Sequence, residues 1–290
     1  MTQGNLAYQW KVQSIAIKLI VINVLVFLLI NIGAFLFKTS AGSLMRWFVL
    51  PEGVVDFIVQ PWSFLTYSFI HFDFFHLLFN MIWLHFFSRF VLNIFTPKRF
   101  LTVYLLGAIA GGLMYVLSYN VFPVFEDGLP SVLLGASASV TAIMVFIATH
   151  SPNTAFRLFN WTIKLWHIAL FIFVYDLIRL PIGGNAGGML AHFGGAVFGY
   201  IYARQLLKGN DIGVGFENLV DWFTNLFKPK KEKPFKTVHR NKKSTTTKRP
   251  PTVSAHQRKV DAILDKIGKS GYESLSKAEK DFLFKSGKDN

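Results

Sequence analysis

A chain of 290 residues would ordinarily make about two soluble domains, but 52% hydrophobic and only 16% charged residues, with 31 Phe, argue against that. An average globular domain carries roughly 25% charged residues, and the mean hydropathy of +0.40 fits an integral membrane protein with a polar appendage. The lack of cysteine excludes disulfides, thiolate metal sites and Cys nucleophiles.

Six apolar segments approach the length needed to cross about 30 Å of hydrocarbon as helices. In chain order they run over about Ser14–Phe37, His71–Leu92, Arg99–Tyr119, Ser131–His150, Phe159–Leu180 and Ala186–Leu206. The first is too long for a signal-peptide core and has no small-residue cleavage site, so it reads as an uncleaved span. Placing the N-terminus inside puts Lys11, Lys18, Arg89, Lys98, Arg99, Arg157, Lys164, Arg204 and the tail in the cytoplasm. Only Lys38, Arg46 and Arg179 then face out. The expected fold is an all-α polytopic six-span bundle over residues 1–207, with both termini cytoplasmic. The compact plan points to a plasma membrane, in particular a bacterial inner membrane.

The outer loop from Lys38 to Ile70 is rich in Trp, Phe and Leu but broken by Pro51, Gly53 and Pro61, and is expected to lie partly in the membrane interface. Beyond residue 207 the chain turns basic: Lys208 to Asn290 holds 19 Lys/Arg against 10 Asp/Glu, +9 of the total +14. Residues 208–228 read as an amphipathic juxtamembrane helix, 229–253 as a Lys-, Thr- and Pro-rich disordered linker, and 254–290 as a short helical segment. In that last segment Val260, Ile263, Leu264 and Ile267 share a face, and Ser276 with Glu279 forms a candidate capping box. The tail's expected partners are anionic lipid or a cytoplasmic protein. No nucleic-acid binding is expected.

Polar side chains inside membrane helices are costly and are functional candidates by default. His76 and Asn80 are four residues apart and share a helix face. From the outer end they lie roughly 8 and 14 Å deep, while Ser137 and His192 each lie near 9 Å, at 1.5 Å per residue. Four polar groups from three helices thus converge on one outer layer. Ser137 lies among small residues in Gly135-Ala136-Ser137-Ala138-Ser139. His192 lies in Gly187-xxx-Ala191-His192-xx-Gly195-xxx-Gly199, a stripe that lets another backbone approach. Taken singly, each polar residue has a plainer reading as interhelical hydrogen-bonding, and each Gly as packing.

His76-xxx-Asn80, Gly135-x-Ser137 and Ala191-His192-xx-Gly195-xxx-Gly199, in that order, together resemble the rhomboid intramembrane serine proteases. The six-span plan and the large first outer loop resemble that family as well. The likeness covers roughly Lys11 to Lys208. It implies a Ser–His dyad, with Ser137 as nucleophile and His192 as general base. His76 and Asn80, with the backbone N–H of Ser137, would bind the oxyanion. No Asp or Glu is evident as a third member, although an orienting part for Asp176 stays open. No cofactor and no metal is implied. Implied substrates are single-span membrane proteins in the lipid bilayer, cut near the outer leaflet.

Three positions depart from the family pattern: Ala138 stands where Gly is usual after the nucleophile, Trp62-Ser63 where Trp-Arg is common, and Thr141 where an aromatic ring often stacks on the histidine. The loop at Gly183–Gly188, before His192, is expected to be a mobile cap. Two rival readings are a catalytically silent rhomboid-like protein that binds membrane helices and a small transporter. The first should lack the Ser or the His. The second should show paired midplane charges and related halves.

Overall fold

The computed structural model describes residues 6–126, 128, 131–158, 160–182, 184–226 and 254–287. The linker expected over 229–253 lies outside them, as does Gly183 of the expected cap. The chain divides into two units, Met1–Pro229 and Lys230–Asn290.

Helix starts in the first unit follow their capping residues. After α1 (Leu6–Val12), Ser14 caps α2 (Ile15–Leu36) by accepting from the Ile17 N–H. Asp73 accepts from the His76 N–H to open α6 (Phe74–Leu92), and Thr96 with Pro97 opens α7 (Pro97–Val121). These long helices, α2, α6 and α7, are each long and apolar enough to cross a membrane. The following α8 (Ser137–His150) is apolar but has only 14 residues. Two more helices, α9 (Leu165–Arg179) and α10 (Ala186–Leu207), complete the bundle.

Between α2 and α6 the apolar loop is a folded lobe. It contains α3 (Ala41–Met45), β1 (Leu50–Pro51), α4 (Val54–Val59) and α5 (Ser63–Thr66). The Trp62 indole donates to the Trp47 carbonyl at 2.7 Å, and Thr66 Oγ1 to the Phe48 carbonyl at 2.7 Å. Tyr67, fully buried, donates its hydroxyl to the Ala108 carbonyl of α7 at 2.7 Å. These bonds hold the lobe together and against α7.

Two expected helix boundaries are corrected. The fourth apolar segment is not helical from Ser131. Residues Val132–Leu133 form β2, antiparallel to β1 with Leu50 opposite Leu133, and the helix begins only at Ser137. The fifth is not helical from Phe159. Instead β3 (Ala155–Leu158) and β4 (Trp161–Lys164) make a hairpin, and the helix begins at Leu165. Trp, Thr and Ile, favoured in strands, end up in the paired ladder, where backbone groups of so short a run are satisfied.

The tightest packing joins α10 to α8. A Cβ on Gly195 would stand 2.2 Å from the Ala138 carbonyl oxygen, and one on Gly199 2.3 Å from that of Ala142. No side chain fits either place, so the two backbones touch as the small-residue stripe requires. After α10 comes α11 (Val214–Leu226).

In the second unit α12 (Ala255–Ser270) ends at Gly271, whose φ of 76° suits glycine. A reciprocal capping box between Ser276 and Glu279 starts α13 (Lys277–Ser286). Lys266 donates to both Glu279 carboxylate oxygens at 2.9 Å, joining the two helices.

Candidate active site

Ser137 is the first residue of α8, not a turn and a half inside a helix as its position in the apolar run suggested. The chain reaches it through Gly135 at φ 112°, a conformation that L side chains rarely adopt. The Gly135 N–H donates to the Tyr67 carbonyl at 3.0 Å, and the Ala136 N–H to His71 Nε2 at 3.4 Å. These two bonds fix the turn before the serine. At a helix start the first N–H groups have no intrahelical acceptor, so those of Ser137 and its neighbours carry the positive end of the helix dipole.

Asn80, Ser137 and His192 line one cavity of about 300 Å³, with Trp83, Thr141 and Asp176 among its other walls. Ser137 and His192 are half-buried. Ser139, two residues on, is fully buried, and its hydroxyl has no hydrogen-bond partner among the described residues. The Asn80 amide donates to the His76 carbonyl at 2.9 Å. An amide nitrogen has two hydrogens, so one N–H remains for a ligand. His76 is not in the cavity wall. Its ring packs on the Gly135 turn, where a Cβ would meet Cε1 and Nε2 at 2.7 Å, and edge-on to His71 with centroids 5.1 Å apart. Three of the four sequence-derived residues therefore meet at one space, and the fourth supports the turn beside it. The Ser137 hydroxyl and the His192 ring share that space without a direct hydrogen bond among the described residues. Such bonds commonly tighten only once substrate is bound.

The residue whose orienting part the sequence left open is Asp176. Its carboxylate lies 2.8 Å from His192 Nδ1 and is buried, at 7% exposure. A carboxylate only accepts, so Nδ1 carries the hydrogen, and in the neutral imidazole the lone pair is then on Nε2. This explains what Thr141 left unexplained: the imidazole is oriented by a carboxylate on α9 rather than by a stacked ring on α8. A signal was present, because Asp176 is the only acidic residue in the apolar run from Leu165 to Arg179, a placement that marks a functional candidate. The expected cap is shorter than its sequence suggested. Ala186, Gly187 and Gly188 already belong to the first turn of α10, which Asn185 caps by accepting from the Gly188 N–H at 3.1 Å.

A family model described as the Rhomboid domain matches residues 59–209, and a family of unknown function, DUF6576, matches residues 254–285. Among curated relatives, the chain is similar to RHOMBOID-like protein 12, mitochondrial, of Arabidopsis thaliana, at 29% identity over 155 residues. That match covers 50% of this chain and 46% of the relative. It is also similar to the presenilin-associated rhomboid-like protein, mitochondrial, of Bos taurus and of Homo sapiens, at 29% and 28% identity over 153 residues. Those two matches cover 50% of this chain and 39% of each relative. The chain thus spans less than half the length of the curated relatives it matches. These relatives correct the expected location: they are mitochondrial proteins by name, which conflicts with a plasma or bacterial inner membrane.

Proposed function

The chain belongs to the rhomboid family, and from that premise and the site geometry we propose that it is a serine endopeptidase that cleaves single-span membrane proteins within the bilayer. One observation carries the reading: side chains from four helices, Asn80, Ser137, Asp176 and His192, line a single cavity, and Asp176 holds the histidine so that Nε2 is free to accept a proton.

The chemistry balances on these groups. A serine hydroxyl is a weak nucleophile until a base takes its proton. His192 Nε2 accepts that proton as Ser137 Oγ bonds to the scissile carbonyl carbon. Negative charge moves to the carbonyl oxygen, where the Ser137 N–H and the free Asn80 N–H receive it, with His76 beside them. Collapse breaks the C–N bond, and the leaving amine takes the proton from His192. Water then repeats the sequence on the acyl ester and frees Ser137. Asp176 stabilises the imidazolium at each stage without itself taking the proton.

The same reading includes six membrane crossings, with α8 and α9 as short ones. Both chain ends then lie on the side where the Lys and Arg residues gather, and the site lies toward the opposite side. The basic tail stays outside the bilayer core.

The test is a fluorophosphonate probe and a single-span reporter, applied to the full chain in detergent. Label should fall on Ser137, and reporter cleavage should vanish in Ser137→Ala and His192→Ala. Labelling at Ser139, or cleavage that persists in His192→Ala, would overturn the assignment. A chain that binds the reporter but neither labels nor cuts it is the silent rhomboid-like binder.

A further inference from the structure

Among the described residues, α11 is a helix with an unused apolar face. Phe216 and Val220 turn toward the bundle and are half-buried, whereas Leu219, Trp222 and Leu226 are 56%, 60% and 60% exposed. At 3.6 residues per turn those three share one side, and Asp221 and the exposed Thr224 lie on the other.

The helix is held at both ends of its approach to the bundle. Before it, Asp211 accepts from the Tyr202 hydroxyl of α10 at 2.8 Å and from the Gly213 N–H at 3.0 Å, and it pairs with Arg99 of α7. Within it, Asp221 pairs with Lys98. Lys98 and Arg99 occupy the first turn of α7, a helix long and apolar enough to span a membrane. The first turn of a spanning helix sits where hydrocarbon gives way to headgroups. Lys98 at that tip grips the polar side of α11, so the helix is held at the level of the headgroups with its apolar side uncovered. Arg204 and Lys208 stand exposed at the adjacent end of α10, and Lys228, Lys230 and Lys231 follow α11 in the sequence.

We propose that α11 is a membrane-surface helix, docked to the ends of α7 and α10 through Asp211 and Asp221, that seats Leu219, Trp222 and Leu226 in an anionic lipid surface. An apolar face backed by lysines is the pattern that buries into the headgroup–acyl boundary and gains from anionic lipid. The two aspartates fix its height, so the helix lies flat rather than projecting into water. This does not depend on the peptidase reading.

The chain has no native cysteine, so single cysteines at 219, 222, 224 and 226 can carry nitroxides without background. The full chain is placed in vesicles of phosphatidylcholine with about one third phosphatidylglycerol, and collisions with oxygen and with a water-soluble nickel chelate are compared. Labels at 219, 222 and 226 should favour oxygen several-fold over the label at 224, and the contrast should shrink in pure phosphatidylcholine. Adding Asp221→Asn and Asp211→Asn should also reduce it. Equal accessibility to nickel at 224 and 222 would overturn the proposal. So would exclusion of both reagents at 222, which would mean a cover of protein: a second copy or the chain's own linker.

Discussion

Helices α10 and α9 both contribute to the cavity around Ser137, yet they are held in opposite ways. Along α10, Gly195 and Gly199 lie on the α8 backbone so closely that no Cβ fits, and Ala191, Gly194, Ala196 and Ala203 are buried with them. Along α9, only Leu165 and Asp176 are buried, while Leu170, Phe171, Leu177 and Ile178 stand largely exposed. Ser137 and His192 thus sit on a rigid backbone pair, and Asp176, which orients His192, sits on a loosely packed helix. Steric exclusion sets the first relation. In the second, a single hydrogen bond at 2.8 Å has a large share.

Breaking the rigid pair should have the largest effect. Gly199→Val would drive two methyl groups into the Ala142 carbonyl, which a Cβ alone would approach to 2.3 Å. Overpacking of this kind costs about 1–3 kcal/mol or more. Probe labelling of Ser137 and thermal stability should fall together. The control is Leu177→Ala, on the exposed side of α9, which should leave both unchanged. A Gly199→Val protein that unfolds normally and labels at the parent rate would mean that α8 and α10 can part without consequence.

Asp176→Asn separates the two modes of holding. Fold and thermal midpoint should survive, because neither glycine contact is touched, while turnover falls by about 10²–10⁴-fold. The upper figure is that measured for a buried triad aspartate. KM for a single-span reporter should change little, since the carboxylate acts on the base rather than on the substrate. A loss of folded protein equal to the loss of rate would reduce Asp176 to a structural role.

A smaller effect is expected from Phe173→Ala. Phe173 meets Phe193 of α10 edge-on, with ring centroids 4.8 Å apart, one turn of α9 before Asp176. Such a pair contributes about 1 kcal/mol, so a five- to tenfold drop in reporter turnover is expected if the ring contact keeps the carboxylate in register. Asp176→Asn/Phe173→Ala should then be no slower than Asp176→Asn alone. Additive losses would place the two residues in separate roles.

The rigid half of this arrangement was legible in the sequence and the loose half was not, for a physical reason. Close backbone packing leaves a trace, because only Gly and Ala can occupy it, and their four-residue spacing around His192 shows the face. The choice of Ser137 over Ser139 rested on the resemblance, through Gly135-x-Ser137. The start of α8 was hidden, since the positive φ of Gly135 leaves no mark in an apolar run that reads as helix from Ser131. The β3–β4 hairpin was hidden for a similar reason: a run as short and apolar as Trp161–Lys164 suits strand or helix equally until its partner is known. Asp176 lies 16 residues from His192 on another helix, and their meeting depends on how α9 is rotated, which its largely apolar surface does not encode.

The smallest effect belongs to α11, a second helix held through a carboxylate. Burial pushes the Asp211 carboxyl up, but hydrogen bonds from Tyr202, the Gly213 N–H and Arg99, with the charge of Arg99, outweigh it and bring the value below the ordinary 3.8. A carboxyl whose folded value is depressed contributes stability that is fully present above the unfolded value and is lost as pH falls through the folded one. The docking of α11 should therefore be insensitive to pH from neutrality down to about the ordinary Asp value and loosen only in stronger acid. Asp211→Asn should loosen it at neutral pH. Hydrogen exchange of α11 amides reads both, with Ser137 labelling at neutral pH unchanged in Asp211→Asn, because Asp211 lies beyond the C-terminal end of α10 and outside the cavity lining. Loosening that began near pH 6 would point to a histidine instead, and Asp211 would then not be the group that holds α11 in place.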